Sequence, residues 1–121
     1  MKRILIVEDN PIWSKILVDY CSQLGFGTVV VNSPQTAMDA LDEFRPVVII
    51  LDMLLATETG MALLGEMRGY EDLSDVPIIV CSSVSGIDLE RLRSFGVKYV
   101  FDKAIVEPID IKSAIRSILD E

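Results

Sequence analysis

Six side chains suited to handling a phosphoryl group stand just past short apolar runs. Glu8 and Asp9 follow residues 4–7, and Asp52 follows residues 47–51. Ser82 and Ser83 follow residues 76–81, and Lys103 comes soon after residues 99–101. A carboxylate placed directly behind five aliphatic residues, as Asp52 is, is costly unless something compensates its charge. Three carboxylates brought together repel one another and require a cation, and oxygen donors select Mg²⁺ or Mn²⁺. A carboxylate is also a competent nucleophile toward phosphorus, giving an aspartyl phosphate. Phosphoryl transfer needs mainly positioning and charge neutralisation, which a metal ion, a lysine and a hydroxyl supply. The nucleophile is already ionised, so the absence of histidine from the chain is no obstacle.

These residues converge only if the runs between them form a suitable sheet. The apolar runs 4–7, 28–31, 47–51, 76–81 and 99–101 are rich in Val and Ile, and several do not alternate with polar residues. That pattern suits strands covered on both faces, as in a parallel sheet. Helical patterns fill the gaps. Asn10 and Pro11 open the first, with Ile12, Ile16, Leu17, Tyr20 and Leu24 as its apolar stripe and Gly25 as its stop. Ser33 and Pro34 open the second, which buries Ala37, Ala40, Leu41 and Phe44 and ends before Pro46. The third is predicted over 60–68 and the fourth near 87–95 through Leu89, Leu92 and Phe95. The fifth begins near Pro108 and repeats Ile111, Ala114, Ile115 and Ile118. Strand and helix alternate five times, which predicts an α/β, doubly wound, flavodoxin-like fold. That fold has a five-stranded parallel sheet with five helices on both faces. Ligands of such sheets sit beyond the carboxyl ends of the strands, where these polar residues stand.

With 121 residues the chain has the size of one domain, expected to run from 1 to 121. Nineteen acidic against eleven basic residues give a net charge of −8, which repels nucleic acid and anionic lipid. No apolar stretch approaches the ~18 residues of a membrane span, and "MKRILIVEDN" reaches acid too early for a signal peptide. A cytoplasmic protein with no membrane or nucleic acid partner is expected. Cys21 and Cys81 are too far apart for a metal motif and read as small buried hydrophobes.

Taken in order, these residues resemble the receiver domain of two-component response regulators, over the whole chain, and the resemblance implies the sheet order 2-1-3-4-5. In that family an acidic pair follows the first strand, a phosphoacceptor Asp ends the third, a Ser or Thr ends the fourth and a Lys ends the fifth. Glu8 with Asp9, Asp52, Ser82 and Lys103 occupy those places, the last two 30 and 51 residues after Asp52. The resemblance implies that Asp52 is the phosphoacceptor and that Ser82 and Lys103 bind the phosphoryl oxygens. It also implies Mg²⁺ (or Mn²⁺) on Glu8, Asp9, Asp52 and the backbone carbonyl of Leu54. The implied protein is a switch rather than an enzyme, fed by a sensor histidine kinase or phosphotransfer protein. It would act on a downstream protein through the fourth helix, fifth strand and fifth helix, as a monomer or a phosphorylation-dependent dimer. Arg91, Arg93 and Lys98 lie on or near that face.

Several positions depart from the family pattern. Ala56 stands where Pro is common, Ala104 replaces the Pro that usually follows the Lys across a cis bond, and Val100 replaces an aromatic residue. Apolar Leu54 and Val84 occupy places that line the path of the attacking water, which predicts a long-lived acyl phosphate. Other classes fit less well. A phosphohydrolase of the haloacid dehalogenase type requires a second Asp where Leu54 stands, and a flavin carrier requires a hydroxyl- and glycine-rich loop where "EDNPIWS" offers acids. A receiver fold that acts as an interaction module without switching is the remaining alternative. The final helical pattern is complete at "SILDE", which leaves open whether the chain is stand-alone or part of a longer protein.

Overall fold

The computed structural model describes residues 2–54, 60–83 and 86–120. Its elements in order are β1 (Arg3–Val7), α1 (Pro11–Gln23), β2 (Gly27–Val31), α2 (Pro34–Phe44), β3 (Val48–Leu51), α3 (Gly60–Met67), β4 (Ile78–Ser82), α4 (Leu89–Ser94), β5 (Val97–Asp102) and α5 (Pro108–Leu119). The strands form one parallel sheet in the order β2-β1-β3-β4-β5, as the receiver-domain resemblance implies. Register is continuous except at the edge. Ile78 pairs with Val97 and Ile79 with Tyr99, so Lys98 is an extra residue opposite no β4 partner.

Two apolar layers hold the sheet. Leu5, Val7, Ile49, Leu51, Ile78 and Val80 face Ala37, Leu41, Leu63, Leu64 and Leu92, from α2, α3 and α4. Ile4, Ile6, Val48, Ile50, Ile79 and Cys81 face Leu17, Cys21, Ile111, Ile115 and Ile118, from α1 and α5. The central strands β1, β3 and β4 thus send alternate residues to opposite layers, which is why residues 4–7, 48–51 and 78–81 read as unbroken apolar runs.

Helix starts follow their capping residues. The side-chain oxygen of Asn10 accepts from the N–H groups of Ile12 (2.9 Å) and Trp13 (3.2 Å), and Ser33 Oγ accepts from Thr36 N–H. Gly25, at φ +89, turns the chain after α1. Two expectations fail. Ile12 is 70% exposed rather than part of the inward stripe, because that turn of α1 packs Trp13 instead against the core. Leu89 is also exposed, and α4 is shorter than the pattern suggests, with Leu92 its single buried residue.

Both cysteines are free and fully buried. Burial pushes the Cys21 thiol up to about 12 and the Cys81 thiol to about 11, so neither forms thiolate at ordinary pH. Iodoacetamide at pH 8 is expected to label neither residue until the fold opens; fast labelling of the native protein would contradict this packing. Among the described residues, no helix is long and apolar enough to cross a membrane.

Candidate functional site

The period of two along each strand decides which polar residues meet. Glu8 continues the row of Ile4 and Ile6, Asp52 that of Val48 and Ile50, and Lys103 that of Tyr99 and Phe101, all on the α1–α5 side of the sheet. Backbone bonds from Glu8 N–H to Val31 O (2.9 Å), Asp52 N–H to Val7 O (3.0 Å) and Lys103 N–H to Ser82 O (3.0 Å) carry the ladder just past the strands. Ser82 belongs to the opposite row but reaches over the end of β3.

Asp52 is the hub. Its Oδ1 accepts hydrogen bonds from Ser82 Oγ (2.8 Å) and Leu54 N–H (3.0 Å), and its Oδ2 accepts from Lys103 Nζ (3.0 Å). The same ammonium pairs with Glu8 Oε1, while Glu8 Oε2 accepts from Asn10 N–H at 3.2 Å. The side chains of Glu8, Asp52 and Lys103 are 1%, 6% and 9% exposed, so they act on one another with little screening by water. Asp9 is the solvent-facing member, and one oxygen from each of Glu8, Asp9 and Asp52 lies within 4.8 Å of the others.

Ionisation follows from these contacts. Burial raises the Asp52 carboxyl, but the bonds from Leu54 N–H, Ser82 and Lys103 outweigh it and hold Asp52 below the usual carboxylate value. For Glu8 burial wins over the bonds from Lys103 and Asn10, and its carboxyl is raised. Burial also opposes the Lys103 charge, yet Glu8 and Asp52 hold its ammonium above the usual value. Asp52 is therefore an ionised carboxylate beside a permanent cation at neutral pH.

The donor set fits a hard divalent ion. Three carboxylates against one ammonium leave an excess of two negative charges when all are ionised, and every donor is an oxygen. Of the predicted strand-end residues, Glu8, Asp9, Asp52, Ser82 and Lys103 thus come together. Leu54 contributes its N–H to Asp52 while its side chain is 57% exposed. Ser83 is exposed, and Ala56 and Val84 lie outside the described residues. No cis peptide bond occurs among the described residues, so Lys103 enters the site across a trans bond to Ala104. Val100 packs against the α2–α4 layer, whereas the stacked rings of Tyr99 and Phe101 pack toward α5.

The profile of the response regulator receiver domain matches residues 4–116. The chain belongs to this family. As a receiver domain it is 30% identical over 122 residues to the polar-differentiation response regulator DivK of Brucella ovis, covering 99% of this chain and 98% of DivK. It is 27% identical to an uncharacterized 76.5 kDa protein of Thiocystis violacea, covering 96% of this chain but only 16% of that protein. The signal receiver domain of a Syntrophus aciditrophicus signal transduction histidine kinase superposes with a TM-score of 0.86 at 28% identity, over 99% of this chain and 91% of that one. At the level of the family, the receiver domain is a module of two-component signalling.

Three residues near the receiver site were not assigned a part by sequence reasoning. Trp13 lies with its ring centroid 5.2 Å from Lys103 Nζ, Asp102 accepts from Ala104 N–H, and Gly60 lies against the backbone after Asp52. A Cβ on Gly60 would stand 2.8 Å from Asp52 O and 3.0 Å from Met53 Cα, and Gly60 N–H donates to Met53 O. Gly60→Ala is expected to displace the Asp52 segment and cost about 1–3 kcal/mol by overpacking. A thermal midpoint lower by several degrees, with weaker metal binding, is the measurement; an unchanged midpoint would show that the contact relaxes freely.

Proposed function

We propose that this receiver domain is a phosphorelay switch in which Asp52 takes a phosphoryl group from a phosphohistidine donor. The observation that carries the reading is the buried Asp52 carboxylate, held by Ser82 and Lys103 beside Glu8 and Asp9. A carboxylate oxygen of Asp52 forms the O–P bond as the P–N bond to the donor imidazole breaks. The imidazole leaves with the bonding pair and takes a proton from solvent. Glu8, Asp9, Asp52 and the Leu54 carbonyl would hold Mg²⁺, with Mn²⁺ as its substitute. Such an ion, held by these residues, would supply charge neutralisation to the phosphoryl oxygens. Lys103, already against Asp52, turns its ammonium to a phosphoryl oxygen, and Ser82 gives up its bond to Oδ1 to donate to another.

Exchange of the Ser82 bond links chemistry to shape. As Ser82 moves, the segment leading to α4 follows, which biases a two-state surface formed by α4, β5 and α5. Val100 offers no aromatic ring to turn inward, so the signal travels through the Ser82 segment and α4. Exposed Leu89, Arg91, Arg93 and Lys98 give that surface an apolar centre and basic rim suited to an acidic protein partner. The donor is a sensor histidine kinase or phosphotransfer protein.

Incubation with acetyl phosphate is the direct test: the intact mass is expected to rise by one phosphoryl group with Mg²⁺ and to stay constant without it. No gain under either condition would refute the proposal. The apolar side chain of Leu54 cannot orient a hydrolytic water, so the label is expected to persist for minutes or longer. Its loss within seconds in Mg²⁺ buffer would contradict that reading.

A further inference from the structure

Lys103 has the longest reach in the site, because β4 lies between its own strand and that of Asp52. Two features of this chain hold it there. The first is a closed backbone turn. Asp102 Oδ1 accepts from Ala104 N–H at 2.8 Å, and Asp102 O accepts from Ile105 N–H (3.1 Å) and Val106 N–H (2.9 Å). Lys103 N–H is bound to Ser82 O, so every N–H from 103 to 106 has a partner and the turn is pinned to β4. Proline at 104 would lack the N–H that this turn uses.

The second feature is an aromatic wall. Trp13 stands on the first turn of α1, anchored through its N–H to the Asn10 side chain. Its ring lies 5.2 Å from the Lys103 ammonium, which also pairs with Glu8 and Asp52. Two carboxylates attract the charge and the indole face limits its escape toward solvent.

We infer that Trp13 and Asp102 are positioning residues for Lys103, the indole confining its ammonium and the Asp102 turn aiming its backbone at the phosphoacceptor. The inference rests on the proposed role of Lys103 in phosphoryl transfer, but the placement itself is independent of that role. Cation–π attraction of ordinary strength corresponds to roughly a 2- to 30-fold preference for the confined position.

The test uses the full chain in two arms. In metal-free protein, NMR of the Lys103 methylene protons is expected to show an upfield ring-current shift. That shift should collapse in Trp13→Leu, shrink in Asp102→Ala, and be retained largely in Trp13→Phe and Asp102→Asn, which keep a ring and an acceptor oxygen. In the second arm, the rate of phosphorylation by acetyl phosphate with Mg²⁺ should fall roughly 2- to 30-fold in Trp13→Leu and Asp102→Ala and recover in the two conservative variants. Mg²⁺ affinity, read by titration without acetyl phosphate, should stay within about twofold throughout, because neither residue offers a metal ligand. A Lys103 shift that survives Trp13→Leu overturns the indole's part, and an unchanged shift and rate in Asp102→Ala overturns the turn's part. Loss of rate that the conservative variants do not recover overturns both. If the parent takes no phosphoryl group, the functional reading fails while the metal-free arm still decides the placement.

Discussion

Asp52→Asn is expected to abolish phosphoryl uptake, with a loss of more than about 10³-fold, the scale seen when a covalent nucleophile is removed. The substitution keeps shape and an acceptor oxygen for Ser82 and Leu54 N–H, so the fold should survive. It replaces the oxygen facing Lys103 by an amide that the ammonium repels, and removes one of three charges from the cation site. Mass spectrometry after acetyl phosphate treatment reads the first effect and Mg²⁺ titration the second, where weaker binding is expected. Uptake by the variant at a rate near the parent's would move the phosphoacceptor to Glu8 or Asp9 and sink the assignment.

Lys103→Ala separates two functions that most substitutions would damage together. Loss of an ammonium from a preorganised phosphoryl site typically costs about 10²- to 10³-fold in rate, and that fall is expected for acetyl phosphate. Mg²⁺ affinity should move the other way and tighten, because Lys103 is the cation already balancing Glu8 and Asp52. Without Lys103, Glu8 and Asp52 face each other with no internal counter-charge. Glu8 is already raised by burial, and a group raised in the fold favours it at low pH and ceases to do so as pH rises through the folded value. Metal-free Lys103→Ala should therefore lose stability as pH climbs from acid toward neutral, and Mg²⁺ should restore it. Equal loss of rate and metal binding would contradict the division of labour.

The central strands were legible because their apolar residues are buried on both faces with no polar break between them. The starts of α1 and α2 were legible because Asn10 and Ser33 announce them through local bonds. The strand-end acids, hydroxyl and lysine could be placed together because parallel sheets bring all carboxyl ends to one edge. Errors arose where tertiary position overrides local pattern. Ile12 fits a helical stripe by spacing, yet Trp13 beside it is the residue that this turn packs against the core. Val97 and Lys98 were missed as part of β5 because the extra residue interrupts the period. The route of Lys103 could not be read from "FDKAI" alone, since it depends on a turn bond to Asp102 and on an indole 90 residues earlier.

The extra residue in β5 also sets a rule for chain length. Lys98 resets the alternation, so whatever precedes it in the approach from α4 has no bearing on which way Lys103 points. From Tyr99 onward there is no such freedom: one residue inserted or removed before Lys103 would turn the ammonium to the opposite side of the sheet, away from Glu8 and Asp52. Length variation in this lineage should accordingly accumulate ahead of Lys98 and be purged from the five positions that follow it.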